Sequence, residues 1–325
     1  MKSSKVVSLG LHICDVLGRP VNGIPPGQSL TILDETRMTV AGTAAGASVD
    51  MAKLGLEVYA MGAVGEDLIG EFVESSMKSF GINTAGLIRK KNVQTSTSML
   101  LIRPNGERPA LHVPGANACF SLEDVDFDLI AAAGFLHVGG TGLLPGIDGE
   151  DTVRILSFAK DKGLVTTFDL IALETVDALP LIIPCLPYID YFMPGLEEAV
   201  LMCGFDDRQK LHRFFLEKGA GHTVFKNGEK GSFIGWLEGG ELKELHIPCF
   251  EAEIVDSTGC GDSYCGGFIK ALSRGMTLEE CGRIGSACGA LVISGLGSDA
   301  GIKDWEQVLN FSRISKTSIP AGEKK

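Results

Sequence analysis

Short apolar runs rich in Val, Ile and Leu alternate along this chain with longer segments of helical periodicity. Buried strands give runs of about four to eight apolar residues, whereas apolar positions three and four apart indicate an amphipathic helix. Their alternation predicts βαβ units around a mostly parallel sheet. The predicted strands are Val6–Ile13, Val58–Val64, Phe135–Val138, Leu164–Phe168, Tyr188–Met193, His222–Lys226 and Ser232–Trp236. The predicted helices include Ala47–Leu54, Leu68–Phe80, Thr152–Lys162, Leu196–Cys203, Arg208–Lys218, Asp262–Arg274, Leu278–Ser294 and Ile302–Asn310.

Two segments interrupt this rhythm, at about residues 16–40 and 92–115. The second contains two alternating runs, Ser96–Ile102 and Arg108–Val113, on either side of a Pro-Asn-Gly turn, which predicts a β-hairpin. A small β-structure attached to an α/β core is a natural lid over a ligand cleft. We therefore expect one domain over residues 1–325, with these two segments as its lid.

Composition narrows the functional classes. The 325 residues are 45% hydrophobic and 22% charged, which is ordinary globular composition. The 41 acidic residues outnumber the 29 basic ones and give a net charge of −12, which argues against a nucleic-acid partner and favours a small molecule.

The cysteines and the longest apolar runs bear on location. Nine cysteines are scattered with no C-x-x-C pair, which favours a reducing, cytoplasmic environment without structural zinc. No run reaches the roughly 18 apolar residues that indicate a membrane span. The apolar stretch near the N-terminus is interpreted as a first buried strand rather than a secretion signal.

The most informative stretch is Ile254-Val255-Asp256-Ser257-Thr258-Gly259-Cys260-Gly261-Asp262, which leads into a predicted helix. Two glycines in a tight turn let backbone N–H groups point outward at a helix N-terminus, where the dipole also favours negative charge. Asp262 stands at the same place and can accept a proton from a hydroxyl that attacks phosphorus. An isolated turn of this kind is also compatible with a plain helix cap.

The longer string, Asp-x-Thr-Gly-x-Gly-Asp before a glycine-containing helix, closely resembles the C-terminal signature of the ribokinase-like sugar kinases, the PfkB family. The predicted strand order and the lid segments extend the resemblance from about residue 5 to about residue 312. It implies an α/β three-layer sandwich with a mostly parallel central sheet, and a small β-lid that often forms homodimer contacts. It also implies transfer of phosphate from ATP with Mg²⁺ to a small sugar-like substrate. Asp262 would be the catalytic base, and the backbone of Gly259, Cys260 and Gly261 the anion hole.

The resemblance also assigns residues to the nucleotide site and to the metal sites. Lys226, Gly228 and Gly231 match the strand and turn that bind the nucleotide, although a lysine replaces the usual threonine; Thr258 and Cys288 belong to segments that border ATP. Glu198 matches the glutamate that organises Mg²⁺ through water, but Gly195 replaces the asparagine of that motif. A monovalent cation such as K⁺, bound in many relatives, would lie among Asp256, Thr258, Val292, Gly295 and Gly297.

The substrate side follows from the first strand and the segment after the first lid region. Asp15 corresponds to the family's sugar-binding aspartate, and Gly42 and Gly46 fall in its sugar-binding glycine segment, where Gly46 replaces an asparagine. Asp50 lies one helical turn beyond Gly46 and could supply the missing polar contact, or face solvent. Arg103 and Arg108 flank the lid turn; either could bind an acidic substrate in a forked geometry, or both could be solvated.

Three functions remain open. The first is a kinase acting on a sugar or sugar acid. The second is a nucleoside kinase of the same fold, disfavoured because neither residues 14–40 nor 92–118 contain Phe, Tyr or Trp to stack on a base. The third is a sugar-binding module that has lost catalysis.

Overall fold

A computed structural model describes residues 4–317 of the chain. Its strands are β1 Lys5–Gly10, β2 Ile13–Arg19, β3 Glu35–Ala41, β4 Glu57–Gly65, β5 Asn83–Lys90, β6 Thr97–Leu101, β7 Ala110–Val113, β8 Phe135–Thr141, β9 Val165–Leu170, β10 Tyr191–Phe192, β11 His222–Lys226, β12 Ser232–Glu238 and β13 Glu241–Ile247. Its α-helices are α1 Thr43–Lys53, α2 Leu68–Ser79, α3 Phe127–Ala131, α4 Glu150–Asp161, α5 Leu179–Ile182, α6 Leu196–Cys203, α7 Arg208–Leu216, α8 Cys260–Ser273, α9 Leu278–Val292 and α10 Trp305–Ile314.

The strands form two sheets. The larger has the order β13-β12-β11-β10-β9-β8-β1-β4-β5, and all its strand pairs are parallel except β11–β12 and β12–β13, which are antiparallel. The smaller has the order β3-β2-β6-β7 and is built from the two segments predicted as a lid.

Side-chain alternation along the central strands fills a core on each face of the large sheet. In β1, Val7 packs with buried residues of α4 and α7, whereas Val6 packs on the opposite face with residues of α1 and α2. Phe268 of α8 and Ala287 of α9 form a third cluster near β11 and β12. The predicted three-layer α/β sandwich is therefore confirmed.

The prediction of one strand over Val6–Ile13 is wrong at its end. Gly10 has φ +143°, and a Cβ there would lie 1.8 Å from the carbonyl oxygen of Gly139. The chain leaves the large sheet at this glycine and enters the small sheet at Ile13, so two strands in different sheets replace one.

Other predicted bounds differ for local reasons. The first helix begins at Thr43, four residues before the prediction, because Gly42 with φ +98° provides its N-cap. The strand predicted over Tyr188–Met193 shortens to two residues, because residues 183–188 form a 3-10 helix. Polar edge strands β5 and β13 were not predicted, since one face of each is solvated and lacks a continuous apolar run. Predicted hairpin strands match β6 and β7 to within two residues.

Three further predictions from the sequence concern membrane spans, the extent of the domain and the role of the lid. No helix within residues 4–317 is both long and apolar enough to cross a membrane. Residues 1–3 and 318–325 of the predicted domain lie outside the described part of the chain. The covering role of the small sheet stays a prediction.

Candidate active site

Functional side chains gather where the parallel strands of the large sheet end. Asp169 is the penultimate residue of β9, and Lys226 is the last residue of β11. Ligands of open α/β sheets bind outside the carboxyl ends of the strands. The N-terminus of α8 and one face of the small sheet complete the walls of this region.

The turn before α8 depends on Gly259. This residue has φ +78° and ψ 0°, and a Cβ there would lie 2.5 Å from Cβ of Ser298. Both the left-handed conformation and the close approach require glycine. The first N–H groups of a helix have no intrahelical acceptor, and no side chain of the described residues caps this end. The turn therefore presents backbone donors, including those of Cys260 and Gly261, to an anion.

Asp262 lies in the first turn of α8, and its carboxylate approaches α1. A Cβ on Gly46 would lie 2.8 Å from Oδ2 of Asp262, so the carboxylate fills the space that a side chain at residue 46 would need. Burial, reinforced by the charge of Asp169, raises the pKa of Asp262 to about 7, while Lys226 and Arg108 oppose the rise. The side chain nevertheless keeps partial exposure to solvent. Such a carboxylate is suited to accept a proton near neutral pH.

A buried ion pair stands beside this turn. Nζ of Lys226 lies 2.5 Å from Oδ2 of Asp169 and 3.7 Å from Sγ of Cys265. Burial alone would lower the pKa of Lys226, but the negative charges of Asp169 and Glu198 outweigh it and raise that pKa well above its ordinary value. Lys226 is therefore a permanent cation next to Gly261, whose Cβ would lie 3.2 Å from Nζ.

Glu198 lies on α6 close to this pair. Its Oε2 accepts a hydrogen bond from the Gly195 N–H at 2.7 Å, and its Oε1 accepts one from the Ala172 N–H at 3.2 Å. Burial and the charge of Asp169 raise its pKa. Within residues 4–317 no cluster of three or more His, Cys, Asp or Glu side chains could hold a metal by itself. The donor set fits a Mg²⁺ ion that keeps water and phosphate ligands and meets Asp169 and Glu198 at its outer shell.

An elongated cleft of about 460 Å³ runs from this cluster along α9. Lys226, Gly228, Gly231, Cys260 and Gly261, all predicted to be in the nucleotide or anion site, line it. Its far end is apolar, with Phe250, Ile254, Ala290 and Ile293, which suits an aromatic base. Burial raises the pKa of Cys260 to about 12, so its thiol stays protonated and unreactive.

The structure does not bring Cys288 to this cleft, which corrects the prediction that it borders ATP. Cys288 is fully buried, and its Sγ lies 2.6 Å from where a Cβ of Gly267 would be. It packs α9 against α8, and Gly289, Ala290 and Ile293 face the cleft instead.

Thr258 and the predicted cation loops meet below the anion turn. Asp256 is fully buried and accepts hydrogen bonds from the backbone and side chain of Thr258, at 2.9 and 2.6 Å, and from the Gly297 N–H at 2.9 Å. These bonds tie residues 256–258 to the loop after α9, which contains Gly295, and so hold the anion turn in place. The buried Val292 precedes that loop at the end of α9.

The inner face of the small sheet carries Asp15, which was predicted to bind the sugar, and the polar residues next to it. Asp15 of β2 is 6% exposed and pairs in register with Ser98 of β6, which pairs with His112 of β7. Burial raises the pKa of Asp15 to about 6, against the stabilising effects of the Ser98 hydroxyl and the Arg108 charge. The Ser98 hydroxyl also lies 3.0 Å from Nδ1 of His112. A row of polar groups thus faces the α8 turn.

The two lid arginines differ. Arg103 forms an exposed ion pair with Glu107 at 2.6 Å on the hairpin tip. Arg108 has no ion pair among the described residues, yet its charge acts on Asp15, Cys260 and Asp262. Of the two arginines, only Arg108 therefore lies within electrostatic reach of both the sugar side and the anion turn.

Asp50 does not face the substrate region, which corrects its predicted contact. The side chain is fully buried, accepts a hydrogen bond from the Ser263 hydroxyl, and lies against Gly266 of α8. Sequence reasoning missed Asp169, Ser98 and His112. Asp169 directly follows the predicted strand Leu164–Phe168, a position from which its place at a strand end could have been inferred.

Comparisons with known proteins agree with this geometry. The family model of the pfkB family carbohydrate kinases matches residues 3–305. The chain is 25% identical over 302 residues to 2-dehydro-3-deoxygluconokinase of Bacillus subtilis, covering 86% of this chain and 88% of that protein. It is 30% identical over 270 residues to 5-dehydro-2-deoxygluconokinase of Geobacillus kaustophilus, covering 78% and 79% respectively. An Escherichia coli structure described as ribokinase II in complex with ATP and Mg²⁺ superposes with a TM-score of 0.80 at 20% identity, covering 94% and 98%.

Proposed function

This chain belongs to the pfkB family of carbohydrate kinases, and we propose that within that family it phosphorylates a sugar acid, using Asp262 as the base. It is a phosphotransferase that acts on a hydroxyl of a small sugar-like substrate. The observation that carries the proposal is the placement of Asp262 one residue after the Gly259–Gly261 turn, between the nucleotide cleft and the polar face of the small sheet.

Chemistry at the site follows from these positions. The acceptor hydroxyl lies between Asp262 and the anion turn, and gives its proton to Asp262 as its oxygen attacks the γ-phosphorus of ATP. Backbone N–H groups of the turn stabilise the charge that develops on the phosphoryl oxygens. Mg²⁺, when bound with ATP, supplies further neutralisation of phosphate charge. Asp169 and Glu198 would order its water ligands.

An acidic substrate is supported by Arg108. This cation has no carboxylate partner among residues 4–317, and its charge reaches both Asp15 and Asp262. A sugar carboxylate would provide the missing partner for the Arg108 guanidinium, in a forked geometry that lysine cannot reproduce. Two similar relatives are named for dehydro-deoxygluconates, which are sugar acids.

We predict that kcat/KM is higher for sugar acids than for ribose or fructose, and that Arg108→Ala erases this preference. Loss of one charge-assisted contact is expected to lower kcat/KM for the acid roughly 10- to 100-fold and to leave neutral sugars unchanged. The measurement is ADP release with a panel of sugar acids, neutral sugars and nucleosides.

Arg103→Ala is the matched control, because it removes an arginine from the same hairpin that is already paired with Glu107. Equal efficiency on acids and neutral sugars, or a loss of preference in the control as well, would contradict the role of Arg108. Preferential turnover of nucleosides would establish the alternative acceptor class.

We predict an absolute Mg²⁺ requirement, and a roughly tenfold rise in the Mg²⁺ concentration for half-maximal activity in Glu198→Gln, as for other outer-shell ligands. Glutamine keeps an acceptor oxygen for one of the two backbone N–H groups that Glu198 binds and loses the other bond, at a cost of about 1 to 3 kcal/mol, so folding is expected to persist. Glu197→Gln, on the exposed face of the same helix, is the control. An unchanged Mg²⁺ titration in Glu198→Gln would remove this residue from the metal site.

Three further features extend the proposal. We propose that a monovalent cation such as K⁺ binds at Asp256, Thr258 and the Gly295–Gly297 loop.

The outer face of the small sheet is our candidate homodimer surface. It carries four apolar residues in register, three of them exposed: Met38, Val16, Met99 and Leu111. All nine cysteines are free thiols, which supports a cytoplasmic location.

A further inference from the structure

We propose that Lys226 is a catalytic cation that contacts the phosphoryl group during its transfer, and that Asp169 is the positioning residue that holds Lys226. The proposal rests on the proposed kinase function and assigns to Lys226 a role in the transition state beyond binding ATP. In the step itself, the bond between the γ-phosphorus and its bridging oxygen breaks while the acceptor oxygen bonds to phosphorus. The acceptor proton goes to Asp262, and ADP leaves with its bridging oxygen.

Lys226 lines the nucleotide cleft, and its Nζ lies beside Gly261 in the anion turn. The ammonium group thus borders both the cleft that would hold ATP and the donors that would hold the transferring group. Its charge also lowers the pKa of Asp262, which places the two side chains within electrostatic reach of each other.

The order of the strands explains how Lys226 reaches this position. Asp169 is on β9 and Lys226 on β11, with β10 between them in the sheet. Because β10 has only two residues and ends at Phe192, the Lys226 side chain can cross beyond it and reach Asp169. This geometry draws the ammonium group away from its own strand and toward the middle of the active site.

Negatively charged side chains surround the Lys226 ammonium group. Asp169, Glu198 and Asp262 are three carboxylates around one lysine. Without Lys226 their field would repel a phosphoryl group, which spreads negative charge over its oxygens. An ammonium group has three N–H donors; Asp169 accepts one and Cys265 is a weak second partner at 3.7 Å. A third donor remains to meet a phosphoryl oxygen.

The backbone of Lys226 pairs with the segment that contains Gly195. The Lys226 N–H donates to the Pro194 carbonyl at 3.1 Å, and Gly195 forms an isolated parallel bridge with Lys226. A Cβ on Gly195 would lie 3.1 Å from Oε2 of Glu198, so a larger side chain would crowd that carboxylate. Residue 195 therefore has no polar side chain here, and Lys226 is the cationic residue of the strand that adjoins it.

The test uses Lys226→Met in the full chain, with the best acceptor from the sugar-acid panel. Removing one preorganised donor to the transferring group is expected to lower kcat about 100- to 1000-fold. Affinity for ADP, which lacks the γ-phosphate, should change less than threefold. Affinity for the transition-state analogue formed by ADP, aluminium fluoride and the acceptor should fall in parallel with kcat.

Two further variants separate catalysis from folding. Lys226→Met leaves Asp169 buried and unpaired, whereas Asp169→Asn with Lys226→Met removes both charges. The double variant should regain stability and stay at least as slow as the single one, because Asp169 would also order the water ligands of Mg²⁺. Lys160→Met is the matched control, because its Nζ also lies 2.5 Å from an aspartate, Asp190, which precedes β10 at the amino ends of the strands, away from the active site. It should keep full activity.

Each possible result either supports or contradicts the catalytic role of Lys226. Acceptor turnover that Lys226→Met leaves unchanged, or equal losses of ADP and analogue affinity, would overturn the catalytic role and leave the proposed function standing. Recovery of activity in the double variant would show that the pair is structural only. Failure of the unmodified protein to phosphorylate any acceptor would overturn the proposed function, and this inference with it.

Discussion

Replacing Asp262 with Asn is expected to lower kcat by roughly two to four orders of magnitude, the usual contribution of a general base. Asparagine has nearly the same shape and keeps the packing against Gly46, but it cannot accept the proton of the acceptor hydroxyl. Affinities for ATP and for the acceptor should therefore stay close to those of the unmodified protein. Steady-state kinetics and equilibrium binding of the purified variant measure both quantities.

The pH profile gives a second reading of the same assignment. Burial raises the pKa of Asp262 to about 7, so the carboxyl is protonated and inactive as a base below that pH. We expect kcat/KM of the unmodified enzyme to fall about tenfold per pH unit below pH 7. Asp161→Asn, on the exposed end of α4, should keep both rate and profile. Near-normal turnover of Asp262→Asn would refute the base assignment.

The local chemistry of the α8 turn could be predicted because it is contained in one short stretch of sequence. Gly259 and Gly261 fix a turn, a helix follows, and Asp262 stands in its first turn, so no distant contact is needed to place these groups. The alternation of strands and helices likewise predicts the layered sheet. Both predictions depend on short-range patterns.

Other parts of the site depend on tertiary packing, which local sequence patterns do not reveal. Asp50 does lie one turn beyond Gly46, but that face of α1 packs on α8, so Ser263 binds the carboxylate. Helix α9 is buried on several sides, and its periodicity could not tell whether Cys288 faces the cleft or the core. The Asp169–Lys226 pair follows from the order of β9, β10 and β11 and from the shortness of β10.

The buried Asp50 leads to the last prediction, a change in how stability depends on pH. Asp50 has no exposed surface, and its Oδ1 has no hydrogen-bond partner among the described residues. Burial raises its pKa from 3.8 to about 7, while the Ser263 hydroxyl and Lys53 limit the rise. Asp50 therefore adds a buried negative charge to the folded state at neutral and alkaline pH.

The direction in which stability changes with pH follows from the proton that Asp50 binds. Between about pH 4 and pH 7 the folded state holds a proton on Asp50 that the unfolded state has released, so the free energy of unfolding falls as pH rises and levels off above pH 7. Asp50→Asn removes this loss. It should be more stable than the unmodified protein at pH 8, by up to about 4 kcal/mol at 1.36 kcal/mol per pKa unit, and should gain little near pH 4. Urea denaturation at several pH values measures the difference.

Ser263→Ala is the informative companion to Asp50→Asn. It removes the hydroxyl that donates to the ionised carboxylate, so the pKa of Asp50 should rise further and the loss of stability should extend to higher pH. The two substitutions thus move stability at pH 8 in opposite directions, although both act on the same pair of side chains. An Asp50→Asn protein whose stability falls between pH 4 and pH 7 as steeply as that of the unmodified chain would show that Asp50 is not the group that titrates.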